Sequence, residues 1–318
     1  MFTYAKLAKT PAKFQRFTGL TVEKFDQLAA DIEPMWKASE RTRLTSRTRQ
    51  RVVGGGGQYK LGCFKDKLLV PLMYYRLYVT YELLSWMFGV DVSNLNRLVH
   101  RLEPVLAKHL NPQPPTPLKR QIRNWEEFQT AYPELTEVVI DGTEQHTQRP
   151  RGQKRQKPYY SKKRKRHTIK PQIVVTRSGR VLWVSDSVPG GRVHDYPLLK
   201  RSRVMERLPK EVIKRVDLGY QGIETDYPDH AVVIPKKKPP NQELTKAQKR
   251  QNRKKAKQRI VVEHTLAHMK QFQVLAQTYR NRRGKNNQTY NRKIKIVAGL
   301  VNLRYEVTSK DFGGVVIP

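Results

Sequence analysis

The chain has one cysteine in 318 residues, Cys63, so it can form neither an internal disulfide nor a cysteine-rich zinc site. A lone thiol suits a reducing cytoplasm, and Cys63 is expected as buried filler. Acid is also scarce: 27 Asp and Glu stand against 63 Lys and Arg, for a formal net charge of +36. A field of that size attracts polyanions and makes nucleic acid the leading partner. Charge alone leaves open a solvated surface, or a ribosome-like binder without chemistry. No run of about 18 apolar residues occurs, so no membrane span is expected. The N-terminus, Met1-Phe2-Thr3-Tyr4-Ala5-Lys6, has no apolar core of a secretory signal.

A chain of this length can bury a sizeable core and is expected to form two domains. Residues 1–110 read as helical. Thr21 is placed to cap a helix carrying Phe25, Leu28, Ile32 and Met35 at helical spacing. A basic stretch then ends in Gly54-Gly55-Gly56-Gly57, a hinge or loop by its conformational freedom. Phe64 to Tyr78 is an apolar helix. Residues 80–102 have the grammar of a helix-turn-helix: a helix opening at Thr80, Gly89 at the turn, Val90 and Val92 in the angle between helices, and Ser93 as cap of the second helix. That second helix carries Ser93, Asn94, Asn96, Arg97, His100 and Arg101 at polar positions. Asn and Arg suit the edges of bases in a major groove; an ordinary helical hairpin is the plainer alternative.

Four prolines in the seven residues from Asn111 to Pro117 mark a linker, counted with a short helix (Trp125 to Ala131) as residues 111–132. Strand patterns follow at Leu135–Asp141, Thr168–Thr176, Arg180–Ser187, Val212–Asp217 and Ala231–Ile234. Helices are expected over His194–Leu208 and Glu243–Gln273. Residues 133–305 are thus a second, α/β domain and 306–318 a tail.

Within this acid-poor chain, Asp141 and Asp217 each end a hydrophobic strand, and Glu263 sits in the last helical stretch. Alone, each Asp reads as a turn or cap residue. Arg259 and Glu263 alone would be a surface pair at i, i+4. On a helix, however, Arg259, Glu263 and Lys270 fall within about 40° of one another. Val262, Leu266 and Met269 lie on the adjacent, core-facing side. Two strand-end carboxylates and a helical one are the parts of a two-metal phosphoryl-transfer centre.

The motifs resemble those of DDE transposases. Asp141-Gly142-Thr143-Glu144 resembles the Asp-Gly-Thr-His element of the PIF/Harbinger-like branch. Asp217-Leu218-Gly219-Tyr220 resembles its Asp-x-Gly-Tyr element, and Pro189-Gly190-Gly191-Arg192-Val193-His194-Asp195 its Pro-Gly-x-x-His-Asp element. Arg259-x3-Glu263-x6-Lys270 is similar to the signature of bacterial insertion-sequence transposases, with Ala256 where that signature has tyrosine. The resemblance spans roughly residues 20 to 305. It implies an RNase H-like mixed sheet with flanking helices, preceded by an all-α helix-turn-helix domain. It implies two Mg²⁺ or Mn²⁺ ions held by Asp141, Asp217 and Glu263, with Asp195 a further ligand. Cleavage at element ends and transfer of the 3′-hydroxyl to target DNA would follow, with double-stranded DNA (terminal inverted repeats and target) as partner and a homodimer as working unit. Its setting would be the bacterial cytoplasm, at the nucleoid when bound to DNA.

Two basic segments flank these motifs. Arg149 to Lys170 holds 11 Lys and Arg and no acid; Lys236 to Arg259 holds another 11 with Glu243 the sole acid. Phosphate contacts are expected from Arg149, Arg151, Lys154, Arg155, Lys162, Lys163, Arg164, Lys165, Arg166, Arg259 and Lys270. Tyr159 and Tyr160 could stack on unpaired bases. His194 and His264 read as contacts to the metal-ligating carboxylates or to phosphate. The competing functions are an RNase H-like nuclease without strand transfer and a domesticated DNA-binding protein.

Overall fold

The computed structural model describes residues 1–46, 60–112, 124–191, 193–281, 284 and 287–310. The four-glycine run, most of the proline-rich linker and Arg192 lie outside the described residues. The chain divides into two compact units: residues 1–111, 271–277 and 292–318, and residues 112–270 and 278–291.

The first unit is helical: α1 (Tyr4–Ala8), α2 (Pro11–Thr18), α3 (Val22–Thr45), α4 (Phe64–Leu77), α5 (Tyr81–Phe88) and α6 (Val92–Leu110). Side chains cap most of these starts. Thr3, Thr21 and Thr80 each accept a backbone N–H of the first turn. Gly89 ends α5 in the left-handed region at φ 64°, as the tight turn requires. The cap of α6 is Asp91, not Ser93: its Oδ1 accepts the N–H groups of Ser93 (2.9 Å) and Asn94 (3.2 Å). An ionised carboxylate also favours the positive end of the helix dipole. Cys63 is exposed rather than buried, and its sulfur caps α4. The middle of α4 is apolar all round, with Leu68 through Tyr75 buried, and the helix packs against α2, α3 and α6.

The second unit contains α7 (Trp125–Ala131), β1 (Glu137–Gly142), β2 (Gln145–His146), α8 (Gln153–Gln156), β3 (Tyr160–Ser161), β4 (Arg166–Lys170), β5 (Gln172–Thr176), β6 (Val181–Val184), β7 (Val188–Pro189), α9 (Asp195–Ser202), α10 (Val204–Arg207), β8 (Ile213–Arg215), α11 (Ile223–Asp226), β9 (Val232–Val233) and α12 (Lys246–Lys270). The main sheet runs β6-β5-β1-β8-β9. β5 is antiparallel to β1 and β6, whereas β1, β8 and β9 are parallel. This is the mixed sheet with flanking helices that the resemblance implies.

The stretch expected as one strand over Thr168–Thr176 divides at Pro171, which has no N–H to give a ladder. β4 joins β2, β3 and β7 in a small second sheet, while β5 enters the main one. The helix expected over His194–Leu208 likewise breaks at Arg203, held at φ 53°.

Two short segments expected with the α/β domain, 271–277 and 292–305, belong to the first unit instead. α13 (Gln273–Ala276) packs on α4. α14 (Gln288–Lys310) extends into the segment expected as a tail, and its Lys293 is fully buried against Glu103 of α6 at 2.6 Å. Tyr75 donates to the same Glu103 oxygen at 3.1 Å.

Candidate active site

Register brings the two strand-end aspartates together. β1 and β8 pair with Glu137 opposite Ile213, Val138 opposite Lys214 and Val139 opposite Arg215. The same offset sets Asp141 level with Asp217. Paired strands lie about 4.8 Å apart, so these two carboxylates leave adjacent central strands side by side. Val138, Ile140 and Val216 enter the core packed by α9, α10 and α11. Strand alternation therefore turns Asp141 and Asp217 to the opposite face, where α12 packs on β1 and β5.

Local hydrogen bonds orient each acid. Asp141 Oδ1 accepts the Gly142 N–H at 2.8 Å. Asp217 Oδ1 accepts the Gly219 N–H at 2.8 Å and opens the short 3-10 turn Leu218–Tyr220. Asp195, the first residue of α9, lies over the strand ends. A Cβ on Gly142 would collide with its Oδ1, and one on Gly219 would stand 3.4 Å from its Oδ2. The glycine of the Asp-Gly-Thr motif is thus the space that Asp195 fills. Lys170, nearly buried, lies 3.4 Å from Asp195 Oδ1 and 3.6 Å from Glu144 Oε1.

The electrostatics join the three aspartates in one site. Burial pushes the Asp141 carboxyl up to about 6; the Arg259 charge opposes this, and repulsion by Asp217 and Asp195 adds to it. Burial also raises the Tyr220 hydroxyl far above its usual range, again with the charges of Asp195, Asp141 and Asp217 contributing. That hydroxyl accepts a hydrogen bond from Gln172 Nε2 at 2.8 Å. Lys270 is lowered by burial and by Arg164, against the pull of Asp141. Arg259 and Lys270 therefore both act on Asp141 from α12.

Glu263 is exposed on α12, between those two cations and within about 40° of each around the helix. The buried positions of this helix are Val262, Thr265 and Met269, so Thr265 takes the place expected for Leu266. Its hydroxyl donates to the Gly179 carbonyl at 3.1 Å and to the Val261 carbonyl at 3.0 Å. His194 is exposed at the start of α9 and His264 is exposed on α12.

Among the described residues, no three His, Cys, Asp or Glu side chains stand close enough to hold one ion as they lie. The donor set nonetheless fits a hard divalent cation. It consists of carboxylates, with Asp141 raised by burial and further by Asp217 and Asp195, and such an ion needs only one or two protein carboxylates, keeping several waters. Sequence reasoning gave no role to Lys170 or Glu144. The signal was a lysine between Ile169 and Pro171, at the edge of the apolar run Ile173-Val174-Val175.

On α6, Ser93, Asn94, Arg97 and His100 are exposed, while Asn96 and Arg101 are half-buried. Arg97 donates to Asn94 Oδ1 at 3.1 Å. Arg101 binds Glu40 at 3.1 Å and lies over Trp36, so it braces α6 on α3. In the second unit, Arg149, Arg151, Lys154, Arg155 and Lys162 through Arg166 are exposed, as is Tyr160; Tyr159 is half-buried. A cavity of about 670 Å³ opens among Arg149, Lys157, Lys162, Tyr160, His167 and Gln156.

A mixed sheet of this order with flanking helices is of the RNase H-like class. Residues 140–302, just over half of the chain, match the family described as DDE superfamily endonuclease. Residues 59–112 match the helix-turn-helix of DDE superfamily endonuclease. The chain belongs to the DDE superfamily endonucleases, and that membership implies dependence on a divalent metal ion. It is 29% identical over 303 residues, covering 95% of this chain and 96% of the relative, to the probable transposase for insertion sequence element IS702 of Microchaete diplosiphon. No solved structure matches the chain. No helix among the described residues is long and apolar enough to cross a membrane.

Proposed function

We propose that this chain is the transposase of an insertion sequence, cutting the ends of its element and joining their 3′-hydroxyls to target DNA. The observation that carries this reading is the parallel pairing of β1 with β8, whose register continued two residues sets Asp141 level with Asp217, in a protein of net charge +36. Asp141, Asp217, Glu263 and Asp195 would hold the divalent ions, taken as two Mg²⁺ or Mn²⁺. When bound, those ions supply activation of the attacking oxygen and neutralisation of the leaving one.

The remaining chemistry belongs to the side chains. Arg259 and Lys270 bind the phosphate that enters beside Asp141. The exposed cations from Arg149 to Arg166 hold the DNA backbone with salt-sensitive affinity. Tyr160 offers its ring to a base at a cleaved end. Asn94, Asn96, Arg97 and His100 reach base edges from α6, with Ser93 and Arg101 at its borders. His194 and His264 contact phosphate or carboxylate from outside the metal ligands. Paired element ends call for paired active sites, hence a homodimer on DNA in the bacterial nucleoid.

The test uses a DNA carrying the element end, target plasmid and Mg²⁺, scored for nicked and joined products. Wild-type protein yields both, and Asp141→Asn yields neither while still shifting the DNA in a gel. Nicks without joined products would favour a plain nuclease. Binding without cleavage by the wild type would favour a DNA-binding protein.

A further inference from the structure

Lys170 is 8% exposed, and a lysine so enclosed requires charged partners. It has two, Asp195 Oδ1 at 3.4 Å and Glu144 Oε1 at 3.6 Å. Both distances exceed the 2.7–2.9 Å or so of a clamped ammonium–carboxylate bond, so the charge is shared between the two acids. Glu144 is itself fixed, because its Oε2 accepts the Thr168 hydroxyl at 2.9 Å. Asp195 in turn bridges the ends of β1 and β8, over Gly142 and Gly219. A chain of contacts therefore leads from Thr168 through Glu144 and Lys170 to the acid that caps the site.

We infer that Lys170 is a resident counter-cation of the acidic site, and that Glu144 is a positioning residue that sets how much of its charge reaches Asp195. The inference rests on the reading of Asp141, Asp217 and Asp195 as the metal-binding set. Lys170 neutralises Asp195 in the ion-free protein and competes with an incoming divalent ion for the same carboxylate. Glu144 draws the ammonium group back and so leaves Asp195 available. The pair tunes affinity for the ion without touching DNA.

The test measures Mn²⁺ binding to the full-length, DNA-free protein by electron paramagnetic resonance. Lys170→Met is expected to bind Mn²⁺ about tenfold more tightly, as removal of one nearby like charge implies. Glu144→Gln keeps an acceptor for Thr168 but frees the lysine, and binding weakens several-fold. In the Lys170→Met background Glu144→Gln then has little effect, because Glu144 acts through Lys170. Simple long-range charge would instead make the two changes additive, which would overturn the positioning role. Should Lys170→Met fail to fold, Lys170→Arg replaces it: its fork grips both carboxylates, and Mn²⁺ binding falls.

Unchanged or weaker binding by folded Lys170→Met would overturn the inference alone, as would unchanged or tighter binding by Lys170→Arg. If wild-type Mn²⁺ binding is absent, or is unaffected by Asp141→Asn, the reading of the site fails and this inference with it.

Discussion

Two lysines meet carboxylates inside this chain, and the two settings differ. In the helical unit, Lys293 and Glu103 are sealed at 1% and 0% exposure, 2.6 Å apart, with Tyr75 supplying a further hydrogen bond. In the α/β unit, Lys170 stands at 3.4 Å and 3.6 Å from two acids, and Asp195 keeps 28% of its side chain in solvent. The first pair is short, dry and committed, and it ties α14 to α6. The second is long, shared and, at Asp195, open to solvent. A sealed ion pair fixes a fold, because losing one partner strands a charge. A loose one beside repelling carboxylates leaves room for another cation.

The sharpest break between the two settings is catalytic. Asp141→Asn, Asp217→Asn or Glu263→Gln is expected to lower end cleavage by about 10³-fold or more, by loss of a metal ligand. DNA binding in a gel shift should persist. A variant that cuts at the wild-type rate would remove that residue from the site.

Next in size is the sealed pair. Lys293→Met is expected to cost about 3–5 kcal/mol in urea denaturation, since Glu103 is left buried and unpaired. The double change Lys293→Met, Glu103→Leu should recover most of that loss. No recovery would mean that the pair itself, and not the stranded charge, holds α14.

The acidic site should behave in the opposite sense. With its folded value near 6 against an unfolded value near 4, Asp141 binds protons more tightly in the native state. Its contribution to stability is therefore greatest at low pH and is lost as pH rises from about 4 to about 6. In chelator, Asp141→Asn should exceed the wild type by roughly 2–3 kcal/mol above pH 7, the gap closing towards pH 4. Equal stability at pH 7.5 would mean that neither burial nor the neighbouring aspartates penalise the Asp141 carboxylate.

The smallest effect concerns α6. Asp91→Ala should cost about 1 kcal/mol through the lost cap, whereas Ser93→Ala should be nearly silent. Asn96→Ala and Arg97→Ala should lower discrimination between element-end and random DNA by about 1–3 kcal/mol each. Unaltered discrimination would leave α6 as an ordinary packing helix.

Much of this was legible in the residue order. Short hydrophobic runs made β1 and β8 visible, and the equal placing of Asp141 and Asp217 at their ends followed from them. Thr21 and Thr80 announced their helices as capping residues. What stayed hidden depended on partners distant in the chain. Nothing local to Lys170 names Asp195 as its neighbour. Nothing near Lys293 discloses that α14 packs with helices nearly two hundred residues earlier. Asp91 was overlooked because Ser93 is an equally good cap by type, and only backbone geometry decides between them. Glu263 was legible as a helical acid between Arg259 and Lys270, but its reach towards Asp141 depends on side-chain geometry that no spacing encodes.

Pro171 is the one residue between β4 and β5, which lie in the two different sheets of the second unit. The ribbon on its N-terminal side, β4, pairs with β3, whose Tyr160 lines the basic cavity. The ribbon on its C-terminal side, β5, sets Ile173 opposite Asp141. The register of the small sheet and that of the strand beside the acid are therefore set within one residue of each other.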